Sequence, residues 1–272
     1  MSDRITITRD GPVAIVTLSR AEKFNALDPA MFAGITEAGE ALRGDASVRA
    51  VVLTGAGDHF CAGLDLASFQ SSLMDAAAFS TRALSRPDGE IANEFQKPMH
   101  VWKEIPVPVI AALRGVAYGG GCQLALGADI RIAAPDVRLS VMEVKWGLVP
   151  DMGLTTALPR LMRIDVAKDL VLTGRIVEAE EALAIGLVTR IEADPLAAGI
   201  AAAHAMAERS PDAIRGIKAL LERSWTAAPA DALRMEAEIQ ASVIGGANQR
   251  EAVRANLEKR KPVFADKATE PM

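Results

Sequence analysis

The sequence contains few of the residues that build metal, redox and disulfide sites. Its 272 residues include two cysteines and three histidines, and neither a CxxC pair nor an HExxH segment occurs. Cys61 and Cys122 each lie among small apolar residues, which is typical of packing thiols. The sequence therefore predicts no disulfide framework and no metal site.

The motifs of common nucleotide-binding and hydrolase folds are also missing. No strand-like segment is followed by GxGxxG, and neither GxxxxGK[ST] nor GxSxG occurs. The net charge is −5, so the chain lacks the basic excess that sequence-independent nucleic-acid binding requires. We therefore expect no nucleic-acid partner, no nucleotide hydrolysis and no serine-hydrolase chemistry.

Long apolar runs are absent as well. No run reaches the roughly 20 residues that cross a bilayer, and MSDRITITRDGPVAIV lacks the charged-then-apolar pattern of a signal peptide. Half of the residues are hydrophobic, which is typical of a globular chain. We expect a cytoplasmic protein with no membrane partner.

Strand-like and helical segments alternate over the first two thirds of the chain. A hairpin is predicted around Gly11, and apolar strands begin near Arg49, Val109 and Asp129 with helical segments between them. Asp28 before a proline indicates an N-cap for a helix that runs to about residue 42. This alternation favours an α/β fold with ββα or βαβ units.

The composition changes after about Pro195, where only helical patterns remain. We divide the chain into an α/β core over residues 1–195 and a helical oligomerisation segment over residues 196–272. Amphipathic helices at one end of a core bury their apolar faces against another element or another subunit.

Two glycine-containing turns dominate the α/β part. An apolar strand leads into Gly119, Gly120 and Gly121 and then into an apolar helix, and FCAGLDL follows the strand of residues 49–54. Glycine lets a backbone approach a ligand, and the first N–H groups of a helix lack intrahelical partners. Two such N–H groups aimed at one carbonyl oxygen form an oxyanion hole, although a glycine triplet taken alone is better explained by close helix-on-strand packing.

The segments FCAGLDL, GGGCQLALGADIRIA and MEVKWGLVPDMG, in this order, resemble the enoyl-CoA hydratase/isomerase (crotonase) superfamily. The resemblance extends from LSRAEKFNALD to EKRKPVFADK, and the motifs are most similar to the dienoyl-CoA isomerase-like subgroup. It implies a crotonase-like spiral of ββα units with a C-terminal all-helical segment. It also implies an acyl-CoA thioester substrate, no cofactor beyond the coenzyme A of that substrate, and a homotrimer or homohexamer.

The resemblance places two oxyanion donors on the backbone N–H groups of Leu64 and Gly120. Both would hold the thioester carbonyl oxygen, so that the α-proton becomes acidic. Neither side chain needs to be reactive for this role.

The resemblance also assigns residues to substrate binding. The loop that carries Lys23 would lie at the nucleotide end of coenzyme A, although a solvated surface lysine is the open alternative. The other predicted substrate-binding residues are Ala62, Asp65 and Leu66. The residues that would line the acyl tail, with ordinary core packing as the alternative, are Phe69, Leu84, Ile91 and Phe95.

Three positions decide the reaction. Where hydratases of the family have two glutamates, this chain has Gln123 and Glu143. An amide can hold a water but cannot exchange a proton with it. One of the two carboxylates that activate the water in hydration is therefore missing. Glu143 alone is similar to the single base of enoyl-CoA isomerases.

Asp151 is the third position. Glu143 and Asp151 have the spacing of the proton-transferring pair in dienoyl-CoA isomerases, in which an aspartate stands where this chain has Gln123. The alternative to a catalytic role is that Asp151 is a turn or N-cap residue after Pro150. We therefore favour a double-bond isomerase, with an enoyl-CoA hydratase or a non-catalytic acyl-CoA-binding protein as the alternatives.

Overall fold

A computed structural model describes residues 3–68 and 76–266. The strands are β1 (Ile5–Asp10), β2 (Val13–Leu18), β3 (Ala50–Gly55), β4 (Val109–Leu113), β5 (Val116–Tyr118), β6 (Ile130–Ala133), β7 (Arg138–Ser140), β8 (Val177–Glu178) and β9 (Arg190–Ile191). The α-helices with both ends in these ranges are α1 (Pro29–Arg43), α2 (Ala76–Leu84), α3 (Lys97–Glu104), α4 (Gly120–Ala125), α5 (Leu154–Ala157), α6 (Ile164–Thr173), α7 (Ala179–Ala184), α8 (Pro195–Ala207), α9 (Pro211–Ser224), α10 (Pro229–Val243) and α11 (Ala247–Leu257).

Two sheets organise these elements. The larger sheet has six strands in the order β1-β2-β3-β4-β6-β9, and the smaller has three in the order β5-β7-β8. In the larger sheet β1 and β2 pair antiparallel, as the hairpin prediction requires, and the remaining neighbours pair parallel. The predicted α/β class is therefore confirmed.

The N-cap prediction for α1 is also confirmed. Asp28 has an extended backbone, and its Oδ1 accepts a hydrogen bond from the N–H of Met31 at 2.8 Å. This bond satisfies one of the N–H groups that the first helical turn leaves free. Helix α1 then runs to Arg43, one residue beyond the predicted end.

The strand before the glycine triplet differs from the prediction. It is not continuous, because Gly115 adopts a φ of +58° and separates β4 from β5. A Cβ at Gly115 would lie 2.2 Å from the carbonyl oxygen of Asp58, so the turn needs glycine. The break moves the chain from the larger sheet into the smaller one, and β5 is the strand that leads into the glycines.

The C-terminal helices form where the sequence predicted them. Helix α8 lies against the larger sheet, where Gly199 lets it approach Val52 and Ile110 closely. Lys218 of α9 is buried and pairs with Asp129 at 2.8 Å, which ties that helix to the core. The division of the chain at residue 195 stays a prediction. Within the described ranges, no helix has the length and apolar character that crossing a bilayer requires.

Candidate active site

The two predicted glycine turns are adjacent in the structure. The N–H of Cys61 donates to the carbonyl of Val116 at 3.0 Å, and the N–H of Tyr118 donates to the carbonyl of Cys61 at 3.0 Å. A Cβ at Gly63 would lie 2.6 Å from the Tyr118 oxygen, and one at Gly121 would lie 2.3 Å from the Cys61 oxygen. These approaches are shorter than any side chain allows, so both turns require glycine here.

Leu64 and Gly120 line one cavity of about 930 Å³. Leu27 pairs with the backbone on both sides of Leu64, because its N–H donates to the Gly63 carbonyl and its carbonyl accepts from the Asp65 N–H. Gly120 is the first residue of α4, so its N–H has no intrahelical acceptor. In residues 3–68 and 76–266, neither the Leu64 nor the Gly120 N–H has an acceptor. The structure thus brings both residues together, while their oxyanion role stays a prediction.

Gly120 is also closely surrounded on the cavity side. A Cβ at this position would lie 2.7 Å from the Sδ atom of Met152 and 2.9 Å from the Cδ1 atom of Leu27. A side chain here would push these two residues away or displace the turn.

Gln123 and Glu143 are in direct contact at the wall of the same cavity. The N–H of Met152 donates to Gln123 Oε1 at 2.9 Å, which fixes the orientation of the amide. Gln123 Nε2 therefore faces Glu143 and donates to its Oε1 at 2.6 Å. Glu143 is 7% exposed, and its Oε2 has no hydrogen-bond partner in the described part of the chain. One carboxylate oxygen is thus held by Gln123, and the other is buried without a hydrogen bond from the described residues.

Burial sets the protonation behaviour of both carboxyl groups. Desolvation raises the pKa of Glu143, the hydrogen bond from Gln123 partly offsets it, and the charge of Asp151 raises it further. Desolvation also raises the pKa of Asp151, although this side chain opens to the cavity. Asp151 is not the N-cap of the following helix, since Gly153 occupies that position. Glu143 and Asp151 therefore lie in one cavity with raised pKa values, as acid/base groups often do.

Asp65 lines the cavity, but its carboxylate is bound by the protein. It accepts from the N–H groups of Ala67 at 3.0 Å and Ser68 at 3.2 Å, and it pairs with Arg20 at 2.6 Å. These hydrogen bonds, that of Ser68 first, lower the pKa of Asp65. Asp65 thus holds the loop that presents Leu64, and a direct substrate contact stays a prediction.

Arg20 is a site residue that the sequence did not reveal. Its guanidinium is 11% exposed and lies between Asp65 at 2.6 Å and Asp28 at 3.4 Å. It therefore joins the loop before α1 to the loop that carries Leu64. The sequence predicted Asp28 as an N-cap and Asp65 as a substrate-binding residue, and nothing in the spacing pairs either of them with Arg20.

The other predicted substrate-binding residues lie outside the cavity wall. Lys23 is an exposed residue of a short 3₁₀ helix, and Leu66 is 52% exposed. The N–H of Ala62 donates to the carbonyl of Phe24 at 2.9 Å. The structure therefore places Lys23 and Ala62 on neighbouring loops, and their binding roles stay predictions.

The structure places the residues predicted to line the acyl tail in different environments. Phe95 lines the cavity. Leu84 and Ile91 are 84% and 68% exposed and are not among the residues that line the cavity, so the core-packing alternative is wrong for both, and their contact with an acyl tail stays a prediction. They are exposed because they flank the Ser85–Gly89 stretch, where the chain turns at the surface after α2. Phe69 lies outside the described residues.

Residues 8–267 match the family model described as Enoyl-CoA hydratase/isomerase. The chain belongs to the enoyl-CoA hydratase/isomerase family of enzymes. It is 30% identical over 262 residues to the short-chain-enoyl-CoA hydratase of Clostridium acetobutylicum, covering 95% of this chain and 96% of that protein. It is 36% identical over 217 residues to the (E)-benzylidenesuccinyl-CoA hydratase of Thauera aromatica, covering 79% of this chain and 80% of that protein.

Solved structures of this enoyl-CoA hydratase/isomerase family share the fold. The crystal structure of an enoyl-CoA hydratase from Bacillus anthracis superposes with a TM-score of 0.89 at 30% identity, covering 97% of this chain and 100% of that one. The predicted crotonase-like fold with C-terminal helices is therefore confirmed.

Proposed function

We propose that this family member moves the double bond of an enoyl-CoA or dienoyl-CoA thioester, with Glu143 as its acid/base group. The observation that carries the proposal is the direct contact between Gln123 and Glu143. At 2.6 Å the two side chains leave no space for a water between them. Hydration by a paired mechanism needs such a water, whereas a proton shuttle needs one base.

The proposed reaction begins with the thioester carbonyl oxygen on the N–H groups of Leu64 and Gly120. Glu143 Oε2 takes a proton from C2 of a 3-enoyl thioester, and the electron pair of that C–H bond delocalises onto the carbonyl oxygen. The two N–H groups stabilise this dienolate. Glu143 then returns the proton to C4, which leaves the double bond between C2 and C3. No atom is gained or lost, and the carboxylate is regenerated.

Asp151 extends the proposal to 3,5-dienoyl thioesters, in which protons must be handled at two distant carbons. It lies in the same cavity as Glu143 and is close enough for its charge to affect the pKa of that group. Two carboxyl groups with raised pKa values can serve as donor and acceptor in turn.

Enoyl-CoA hydration is the second candidate, because the relatives from Clostridium acetobutylicum and Thauera aromatica are both named hydratases. In this case Asp151 and Glu143 would hold the water, and Gln123 would orient Glu143. A non-catalytic acyl-CoA-binding protein is the remaining alternative. Under each reading the coenzyme A moiety belongs to the ligand, and the absence of a metal, a cofactor and a nucleic-acid partner stays a prediction.

The deciding experiment incubates the pure protein with 2-enoyl-, 3-enoyl- and 3,5-dienoyl-CoA esters and identifies products by mass and absorbance. Isomerisation keeps the mass and moves the absorbance, whereas hydration adds one water. We expect isomerised products that depend on Glu143. Robust hydration that is unaffected by Glu143→Gln contradicts the proposal, and tight binding without turnover favours the non-catalytic alternative.

We also propose that the chain forms a homotrimer or homohexamer. Helices α9 to α11 expose large apolar side chains in the single chain, among them Leu221, Leu233 and Leu257, as does Trp225 directly after α9. Exposed apolar surface on neighbouring helices marks subunit interfaces. Sedimentation at micromolar concentration tests this, and a monomer contradicts it.

A further inference from the structure

Three phenylalanine rings form one wall of the cavity. Phe32 comes from α1, Phe79 from α2, and Phe95 from the segment before α3. Phe79 and Phe95 stack with ring centroids 4.9 Å apart, and Phe32 meets Phe95 edge-on at 6.4 Å. All three are half-buried, so each keeps ring surface open to the cavity. The chain has seven phenylalanines, so three at one cavity wall is a marked concentration of its few aromatic residues.

Polar contacts hold these rings in place. The Arg82 guanidinium lies 5.1 Å from the centre of the Phe95 ring and forms two 2.7 Å hydrogen bonds to the carboxylate of Glu94. The buried Asn93 accepts from the Phe95 N–H at 3.0 Å and donates to the carbonyl of Ala83 in α2 at 2.7 Å. The ring wall is thus preorganised, because the segment before α3 and helix α2 are joined beside it.

The cavity changes character along helix α1. The end at which the proposed reaction takes place is marked by Leu27, whose Cδ1 atom lies 2.9 Å from the point where a Cβ on Gly120 would be. Glu37 and Glu40 line the other end, and Glu40 is about 16 Å along the helix from its first residue. Lys97, paired with Glu90, lines the cavity as well. A long aliphatic tail would have to run past the rings into this charged wall, where burying methylene groups gains little.

We infer that the acyl group taken by this cavity ends in an aromatic ring, as an arylalkenoyl thioester does, and that Phe32, Phe79 and Phe95 select it. The inference rests on the proposed use of the cavity for a CoA thioester. Aromatic pairs prefer offset-stacked and edge-to-face contacts and gain affinity beyond the area that they bury. A ring placed against these three phenylalanines makes both kinds of contact and stops short of the charged end.

The test uses saturated thioesters, which cannot be isomerised, so that binding is measured apart from reaction type. Calorimetry compares 5-phenylpentanoyl-CoA with 5-cyclohexylpentanoyl-CoA and pentanoyl-CoA. A merely hydrophobic pocket favours cyclohexyl, since this ring is the more apolar of the two. We expect the phenyl ester to bind about 3- to 10-fold more tightly than the cyclohexyl ester. Equal or tighter binding of the cyclohexyl ester overturns the inference alone, whereas no binding of any ester contradicts the proposed function.

Variants then assign the preference to the rings. Phe95→Leu and, separately, Phe79→Leu should abolish the advantage of the phenyl ester over the cyclohexyl ester and should weaken the phenyl ester more than pentanoyl-CoA. Phe264→Leu is the matched control, because Phe264 does not line the cavity, and it should keep the advantage. The inference is wrong if the phenyl preference survives both cavity variants, or if these variants weaken all three esters equally.

Discussion

Gln123 donates its amide N–H to Glu143 across 2.6 Å, and the N–H of Met152 fixes the amide in that orientation. The amide therefore acts as a hydrogen-bond donor to the carboxylate and not as a second base. This contact holds one oxygen of Glu143 and leaves Oε2 without a partner in the described part of the chain. Under the proposed function, Gln123 positions the carboxylate and Glu143 transfers the proton.

Glu143→Gln should lower double-bond isomerisation by about 10²- to 10⁴-fold, which is the usual contribution of a general acid/base group. The amide has nearly the same shape and can still accept from Gln123, so affinity for CoA esters should change little. We therefore expect a lower kcat and little change in KM. Steady-state kinetics with a 3-enoyl-CoA measure it, and a loss confined to KM would show that Glu143 only binds substrate.

Asp151→Asn should move the acid limb of the kcat/KM profile to lower pH. The base must be ionised to take a proton, so the rate falls as the pH drops below the pKa of Glu143. The Asp151 charge raises that pKa, and its removal lowers the pKa while desolvation still keeps it above the ordinary value.

The same variant should slow a 3,5-dienoyl-CoA reaction much more than a 3-enoyl-CoA shift, because the dienoyl reaction needs the second carboxyl group. Asp136→Asn is the control, since this exposed aspartate does not line the cavity. An unmoved acid limb and equal effects on both substrates would exclude Asp151 from the chemistry.

Gln123→Glu should create or raise hydration of a 2-enoyl-CoA. One oxygen of the new carboxylate can still accept from the Met152 N–H, while the other meets Glu143 as a like charge. Repulsion opens a gap that a water can fill, and both groups can then exchange protons with it. Mass analysis of the product measures the added water. Gln123→Met keeps the side-chain length without a carboxylate and should give no such gain, so equal hydration by both variants would contradict the pairing.

Gly120→Ala should lower turnover by about 10²- to 10³-fold, the usual cost of losing one oxyanion donor. The new methyl group would meet the Sδ atom of Met152 at 2.7 Å and the Cδ1 atom of Leu27 at 2.9 Å, so these side chains must move into the cavity or the turn that presents the N–H must shift. Gly44→Ala is the control, because its Cβ would meet only backbone oxygens at 3.8 and 3.9 Å. Unchanged turnover in Gly120→Ala would argue against the donor.

Local signals in the sequence were sufficient to predict most helices, strands and turns. The hairpin at Gly11, the N-cap at Asp28 and the helices after residue 195 follow from residue types that act over a few positions. The order of three motifs along the chain was sufficient to identify the family. The hairpin, the N-cap and the helices could be predicted because each depends on a backbone conformation that residues adjacent in the sequence determine.

The sequence by itself thus determined the α/β class, the family and the glycine turns, because short-range backbone preferences and motif order are written along the chain. Only the tertiary structure decided that β5 leaves the larger sheet and that Gln123 contacts Glu143 directly. It also decided that Leu84 and Ile91 face solvent and that three phenylalanines from separate elements meet at one wall. These facts depend on packing between segments far apart in the chain, and no local pattern encodes which side chains such packing brings together.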